Sequence, residues 1–148
     1  MPVTLLVKRL QEQAKLPTVA HPCEDLAFDL YALKAAVIGP QQQEVIRTGI
    51  AVQLVDEENP QVRYGAVIRD RSSMGRRCLK IMGGEVDAGY RGEILVMIQN
   101  VGSGPQEIQA FDKIAQLRPV PILAGSVKAV SELEESSRGA KGFGSSGK

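Results

Sequence analysis

Short apolar runs, broken at close intervals by turn-forming residues, set the pattern of this chain. The clearest runs cover residues 45–55, 62–68, 93–99 and 107–119. Around them stand Pro17, Pro22, Gly39-Pro40, Gly49, Asn59-Pro60, Gly65, Gly83-Gly84, Gly102-Ser103-Gly104-Pro105, Pro119 and Pro121. Glycine and proline supply the backbone geometry of tight turns, so strands at this spacing predict an all-β sandwich or barrel. Ile50-Ala51-Val52-Gln53-Leu54 alternates only in part, and Ile94-Leu95-Val96-Met97-Ile98 is apolar throughout. The second run reads as a strand buried on both faces. Residues 5–15 read as a short helix. Pro119 and Pro121 suit an edge strand or a crossing segment, because proline cannot donate to a central ladder.

The pattern changes near Gly125. From Ser131 the chain reads Ser-Glu-Leu-Glu-Glu-Ser-Ser-Arg-Gly-Ala-Lys-Gly-Phe-Gly-Ser-Ser-Gly-Lys, with little to bury. Residues 1–124 are therefore expected to form one β domain and residues 125–148 a flexible C-terminal arm.

Composition narrows the function. The chain has 148 residues, 43% hydrophobic and 24% charged, which suffices for one domain with a real core. Eighteen basic residues against 17 acidic leave a net charge of +1. That balance provides no general attraction to nucleic acid or to an acidic membrane, so any bound anion must be held by a few placed groups. Cys23 and Cys78 are too few and too far apart for a disulfide framework or metal knuckle, and read as reduced thiols. His21 is the only histidine, and beside Pro22 it reads as a loop residue rather than a catalytic base. The apolar stretch at residues 3–7 is too short for a signal peptide or a membrane span, so a cytoplasmic location is expected.

Four segments could carry chemistry. Arg71-Ser72-Ser73-Met74-Gly75 follows a strand-like run and offers a cation and two hydroxyls, as a phosphate cradle requires. The plainer alternative is a serine-capped turn with a surface arginine. The stretch from Gly84 to Gly92 has the form of a β-hairpin with Asp87 three positions before Tyr90; a lone aspartate there is also a common turn former. Gln116 stands in Asp112-Lys113-Ile114-Ala115-Gln116-Leu117, pointing either inward as a hydrogen-bonding group or to a surface. The arm carries Phe143 between two glycines, near Arg138, Lys141, Ser145 and Ser146. Glycine-rich backbone and cations suit phosphates, and an aromatic among them suits stacking on a nucleobase. A solvated linker with one stray phenylalanine fits the same residues.

In this order and spacing, these segments resemble the five motifs of the trimeric dUTP pyrophosphatase family. They are Ala27-Phe28-Asp29-Leu30-Tyr31-Ala32, Arg71-Ser72-Ser73, the run from Gly84 to Gly92, Asp112 to Leu117, and Arg138 to Gly147. The resemblance implies a jelly-roll-like β fold with at most one short helix. It also implies a homotrimer with three sites between subunits, each closed by a donated arm, and hydrolysis of dUTP to dUMP and pyrophosphate with Mg²⁺. Asp87 would be the general base for the attacking water. Tyr90 would pack under the deoxyribose and exclude a 2′-hydroxyl. The backbone from Ile81 through Gly84, Glu85 and Val86 would read uracil. Arg71, Ser72, Ser73 and Gln116 would hold phosphates. Arg138 would meet the γ-phosphate, Ser145 and Ser146 would add donors, and Phe143 would stack on the base. Asp29 would reach Mg²⁺ only through water, the ion being held mainly by the substrate phosphates.

Some positions depart from that family pattern. Phe28 stands where glycine then tyrosine often precede the motif aspartate, Asp70 replaces the common proline before Arg71, Glu85 replaces an apolar residue, and Ser146 replaces threonine. Asp70 places a negative charge beside a phosphate-binding arginine. A dCTP deaminase is the nearest rival reading, but it needs a proton-shuttling glutamate on the strand after the hairpin, where Met97 stands. A non-catalytic nucleotide-binding trimer is the rival from another class.

Overall fold

At Thr48-Gly49 the first long apolar run splits in two, and the split organises one side of the fold. The computed structural model describes residues 3–123, 125–137 and 139–140, and among them are eleven strands and one helix. β4 (Gln43–Arg47) ends before the break and β5 (Ile50–Asp56) begins after it. Gly49 takes a φ of +72°, open to glycine, while Ala14 and Leu33 crowd its Cα. The Thr48 hydroxyl donates to Ile94 O at 2.6 Å, which satisfies a buried polar group.

Residues 5–15 do not form the expected helix. β1 (Val3–Arg9) pairs antiparallel with β5, from Val3↔Asp56 to Arg9↔Ile50, and the chain then turns as the Leu10 and Gln11 amides donate to Gly49 O. The β-branched Val3, Thr4 and Val7 favour the pleated surface, and pairing with a distant strand overrides a weak local helical pattern.

The larger sheets position the chemistry. One orders β2 (Phe28–Tyr31), β11 (Lys113–Pro121), β6 (Tyr64–Arg69) and β8 (Glu85–Val86); the other orders β4, β9 (Leu95–Asn100) and β7 (Leu79–Met82). A small pair joins β3 (Ala36–Ile38) to β10 (Gln106–Ile108). The sheets stack as an all-β, jelly-roll-like sandwich, without closing into a barrel. Leu30, Ile38, Ile50, Leu79, Ile94, Ile98, Ile108, Ile114 and Leu117 are fully buried between them. The single short helix, α1 (Ser72–Arg76), buries Met74.

β11 shows where proline is tolerated. It pairs with β2 from Lys113, with both β2 and β6 at Gln116 and Leu117, and from Arg118 onward with β6 alone. The Ile122 amide donates across to Arg63 O, so Pro119 and Pro121, at alternate positions, turn their ring nitrogens to the open side. β9 departs from expectation. Ile94, Val96 and Ile98 are buried, but Leu95 is 42% exposed, so within one chain the run is covered on one face only. Residues 125–137 form neither helix nor strand and are exposed. Among the described residues no helix is long and apolar enough to cross a membrane.

Candidate active site

The sheet β2-β11-β6-β8 carries one polar residue from each of three neighbouring strands in register: Asp29 opposite Gln116, and Gln116 opposite Arg69. Two residues beyond Arg69 the backbone reaches Arg71, the N-cap of α1. The Met74 and Gly75 amides both donate to Arg71 O, and no side chain caps the helix, so Ser72 and Ser73 lie within it. This excludes the serine-capped turn. Both serines are exposed.

Asp29 is only 6% exposed, and burying a carboxylate demands compensation. Two cations provide it. Arg71 Nε lies 2.9 Å from Asp29 Oδ1, an ion pair whose alignment falls short of a hydrogen bond. Lys113 Nζ lies 2.8 Å from Asp29 Oδ2. The hydrogen bond to Asp29, and then its charge, hold the Lys113 ammonium above the ordinary lysine value. These residues and Gln116 line a cleft of about 450 Å³, closed on its other side by the loop that bears His21, Glu24 and Asp25. His21 sits in a turn, its amide donating to Asp25 Oδ2 at 2.9 Å. That is the loop role expected from sequence.

The second group of candidate residues lies elsewhere on the chain. Gly84, Glu85, Val86, Asp87 and Tyr90 line a separate cleft of about 170 Å³ with Ile68 and Met97, sharing no wall residue with the first. The expected hairpin is absent. β8 pairs with β6, through Ala66↔Val86 and Val67↔Glu85, whereas β7 and β9 belong to the other sheet. Gly83 and Gly84, at φ of +72° and +110°, carry the chain from one sheet to the other. A Cβ on Gly84 would come 2.7 Å from Ile68 O, because the Ile68 amide donates to Gly84 O at 2.7 Å.

The turn after β8 is laced to itself. The Tyr90 amide donates to Asp87 O, the Tyr90 hydroxyl to Glu93 O at 2.9 Å, and Arg91 Nη1 to Ala88 O and Tyr90 O at 2.7 and 2.8 Å. A Cβ on Gly92 would lie 2.6 Å from Tyr90 Cζ, so glycine is needed there. Asp87 is exposed, and among the described residues its carboxylate has no partner. Glu85 is also exposed, so its charge stays in water. Ile81 lines neither cleft; its amide donates to Asp70 Oδ1 at 2.6 Å.

The expected site is thus divided. The structure groups Asp29, Arg71 and Gln116 in one place and Gly84, Glu85, Val86, Asp87 and Tyr90 in another, while Arg138, Phe143, Ser145 and Ser146 lie outside the described residues. Sequence reasoning missed Lys113 as a partner of Asp29 and Arg91 as the clamp of the Asp87 turn. The only signal for Lys113 was its place at the start of a strand whose register the sequence does not state. Among the described residues no three His, Cys, Asp or Glu side chains form a metal cage. Both oxygens of Asp29 lie beside cations, so Asp29 offers no free oxygen for direct coordination of a metal ion, and an ion meeting it would do so through water.

The dUTPase family model matches residues 12–147. A deoxyuridine 5'-triphosphate nucleotidohydrolase of Clostridium tetani is 37% identical, over 98% of this chain and 97% of its own length. Among solved structures, a mutant dUTPase of Staphylococcus bacteriophage 80alpha with dUpNHpp superposes with a TM-score of 0.86 at 31% identity, covering 97% of this chain and 98% of its own. A mutant dUTPase from phage phi11 of S. aureus, whose structure concerns the coordination of a structural Mg(II) ion, has a TM-score of 0.77 at 29% identity, over 89% and 99% of the two chains. The chain belongs to the dUTPase family.

Proposed function

We propose that this chain is a dUTP diphosphatase that acts as a cytoplasmic homotrimer, hydrolysing dUTP to dUMP and pyrophosphate with Mg²⁺. The reaction would remove dUTP from the nucleotide pool and supply dUMP for thymidylate synthesis. The observation that carries this reading is the division of the motif residues. A cleft in which Arg71 and Lys113 stand beside Asp29, Glu24 and Asp25, and a partner-free carboxylate at Asp87, form two separate half-sites on one chain. Neither suffices alone for phosphoryl transfer, which needs phosphate clamping and a base in one place. A site formed between subunits joins the Arg71 half of one chain to the Asp87 half of another.

In that joint site Arg71, Ser72, Ser73 and Gln116 hold the phosphates. Asp87 takes a proton from water as the water oxygen bonds to the α-phosphorus. The bond from that phosphorus to the bridging oxygen breaks, and pyrophosphate leaves. A positioned base is worth typically 10²–10⁴-fold. Tyr90, fixed through its hydroxyl on Glu93 O, presents its ring to the sugar, where a 2′-hydroxyl would collide. The triphosphate carries about four negative charges; Mg²⁺, when bound, would supply two positive charges against them, and the placed cations of a chain whose net charge is only +1 would meet the rest. Asp29, whose oxygens are held by Arg71 and Lys113, would act on that ion only through water. Residues 125–148 act as an arm closing over the nucleotide, with Phe143 on the base and Arg138, Ser145 and Ser146 on the phosphates.

Met97 lines the Asp87 cleft, and no residue of β9 is a carboxylate, so the proton shuttle of a deaminase has no side chain there. Purified protein supplied with Mg²⁺ and dUTP, dCTP, dTTP or UTP should release pyrophosphate, with dUTP by far the best substrate, and no ammonia. Ammonia from dCTP, or no reaction with any nucleotide, would overturn the proposal.

A further inference from the structure

Asp70 is an exposed carboxylate at the end of β6, outside every role assigned above, yet it occupies a backbone donor in the segment proposed to read the base. β7 is the outer strand of β4-β9-β7, and the Ile81 amide turns away from β9. Such an edge amide is the kind of donor a flat heterocycle uses when its carbonyl is recognised by backbone. Here Asp70 Oδ1 accepts it at 2.6 Å, at the short end for a charge-assisted bond.

We propose that Asp70 sets the base selectivity of this enzyme, by holding the Ile81 amide that would otherwise receive the 4-substituent of a pyrimidine. The proposal rests on the reading that residues 81–86 face the base. A uracil carbonyl and a carboxylate are both acceptors and cannot share one N–H without repulsion, so dUTP must displace Asp70 to bind. A cytosine amino group is a donor. It finds nothing on the amide itself, but it can donate to Asp70 Oδ2 while Oδ1 keeps Ile81. The same carboxylate therefore weakens dUTP and accommodates dCTP, narrowing a discrimination that the backbone alone would make wide.

Asp70→Asn provides the test, because it keeps the shape and can keep the bond. Its amide oxygen still accepts from Ile81, so a purely structural tie is preserved, while its NH₂ offers a donor to a uracil carbonyl and opposes a cytosine amino group. Steady-state kinetics with dUTP, and dCTP measured both as substrate and as inhibitor of dUTP turnover, give the readout. In Asp70→Asn the KM for dUTP is expected to fall about three- to tenfold with kcat unchanged, and the dCTP inhibition constant to rise by a similar factor. Asp70→Ala, which frees the amide, should shift dUTP in the same direction. An unchanged ratio of the two constants in Asp70→Asn overturns the proposal, as does a shift toward dCTP or a wild type that millimolar dCTP does not inhibit. A wild type that leaves dUTP intact would instead overturn the functional reading itself.

Discussion

The Arg71 guanidinium sits 2.9 Å from the Asp29 carboxylate, so the cation proposed to clamp phosphate is held by a buried acid on β2. This pairing pre-orients Arg71, which lowers the entropy lost when phosphate arrives. It also ties the N-cap of α1 to β2.

Removing the cation tests both roles. Arg71→Met leaves Asp29 with Lys113 alone, and unfolding by denaturant should show a loss of about 1–3 kcal/mol, the usual range for stranding a buried polar partner. The same variant should lose roughly a hundredfold or more in kcat/KM for dUTP, as removal of a phosphate-clamping donor does. A stable variant with unaltered kinetics would remove Arg71 from the site.

Lys113 gives the pair a pH dependence. Its ammonium binds its proton more tightly in the folded chain, because the Asp29 carboxylate accepts its hydrogen bond and opposes its charge. The contribution to stability is complete below the ordinary lysine value of about 10.4 and is lost as pH rises through the raised folded value. Denaturant unfolding of wild type and Lys113→Met should therefore differ by a constant amount between about pH 7 and 9, and by less in more alkaline buffer. The effect should be modest, since Lys113 is partly in water.

Gly84 is predicted to be irreplaceable. Its φ of +110° and the 2.7 Å approach of Ile68 O leave no room for a side chain. Gly84→Ala should cost about 1–3 kcal/mol and displace the Asp87 turn, lowering turnover. Gly104→Ala, where nothing lies within 4 Å of the added carbon, is the control and should change neither.

Much of the fold was legible because its signals are local. The glycine at position 49, the spacing of the apolar runs and the exclusion of proline from a central ladder all act within a few residues, and all three were realised. The misreadings concern partners distant in sequence. Residues 5–9 were drawn into a strand by β5, over forty residues away, and Glu85 and Val86 of the 84–92 segment pair with β6 rather than with the strand that follows. Leu95 is half-exposed because none of the described residues covers it on the outer face of β9. In the candidate site, residue types at motif spacing put Asp29, Arg71, Asp87 and Tyr90 forward, but ion pairs across strands depend on register. Hence Lys113 and the Asp70–Ile81 bond had no sequence signature.

The arm can be tested by shortening it. A chain ending at Ser137 should keep the thermal midpoint of wild type within a few degrees, and should lose about a hundredfold or more in turnover. Near-normal rates from this truncation would contradict closure.

The central claim is that Asp87 directs a water to the α-phosphorus, and the position of an oxygen isotope reports it most directly. Hydrolysis of dUTP in ¹⁸O-water should place the label in dUMP and leave the released pyrophosphate unlabelled, with Asp87→Asn slowing that incorporation by roughly 10²–10⁴-fold. Label in pyrophosphate would put the attack on a different phosphorus, and unchanged incorporation by Asp87→Asn would show that another group serves as the base.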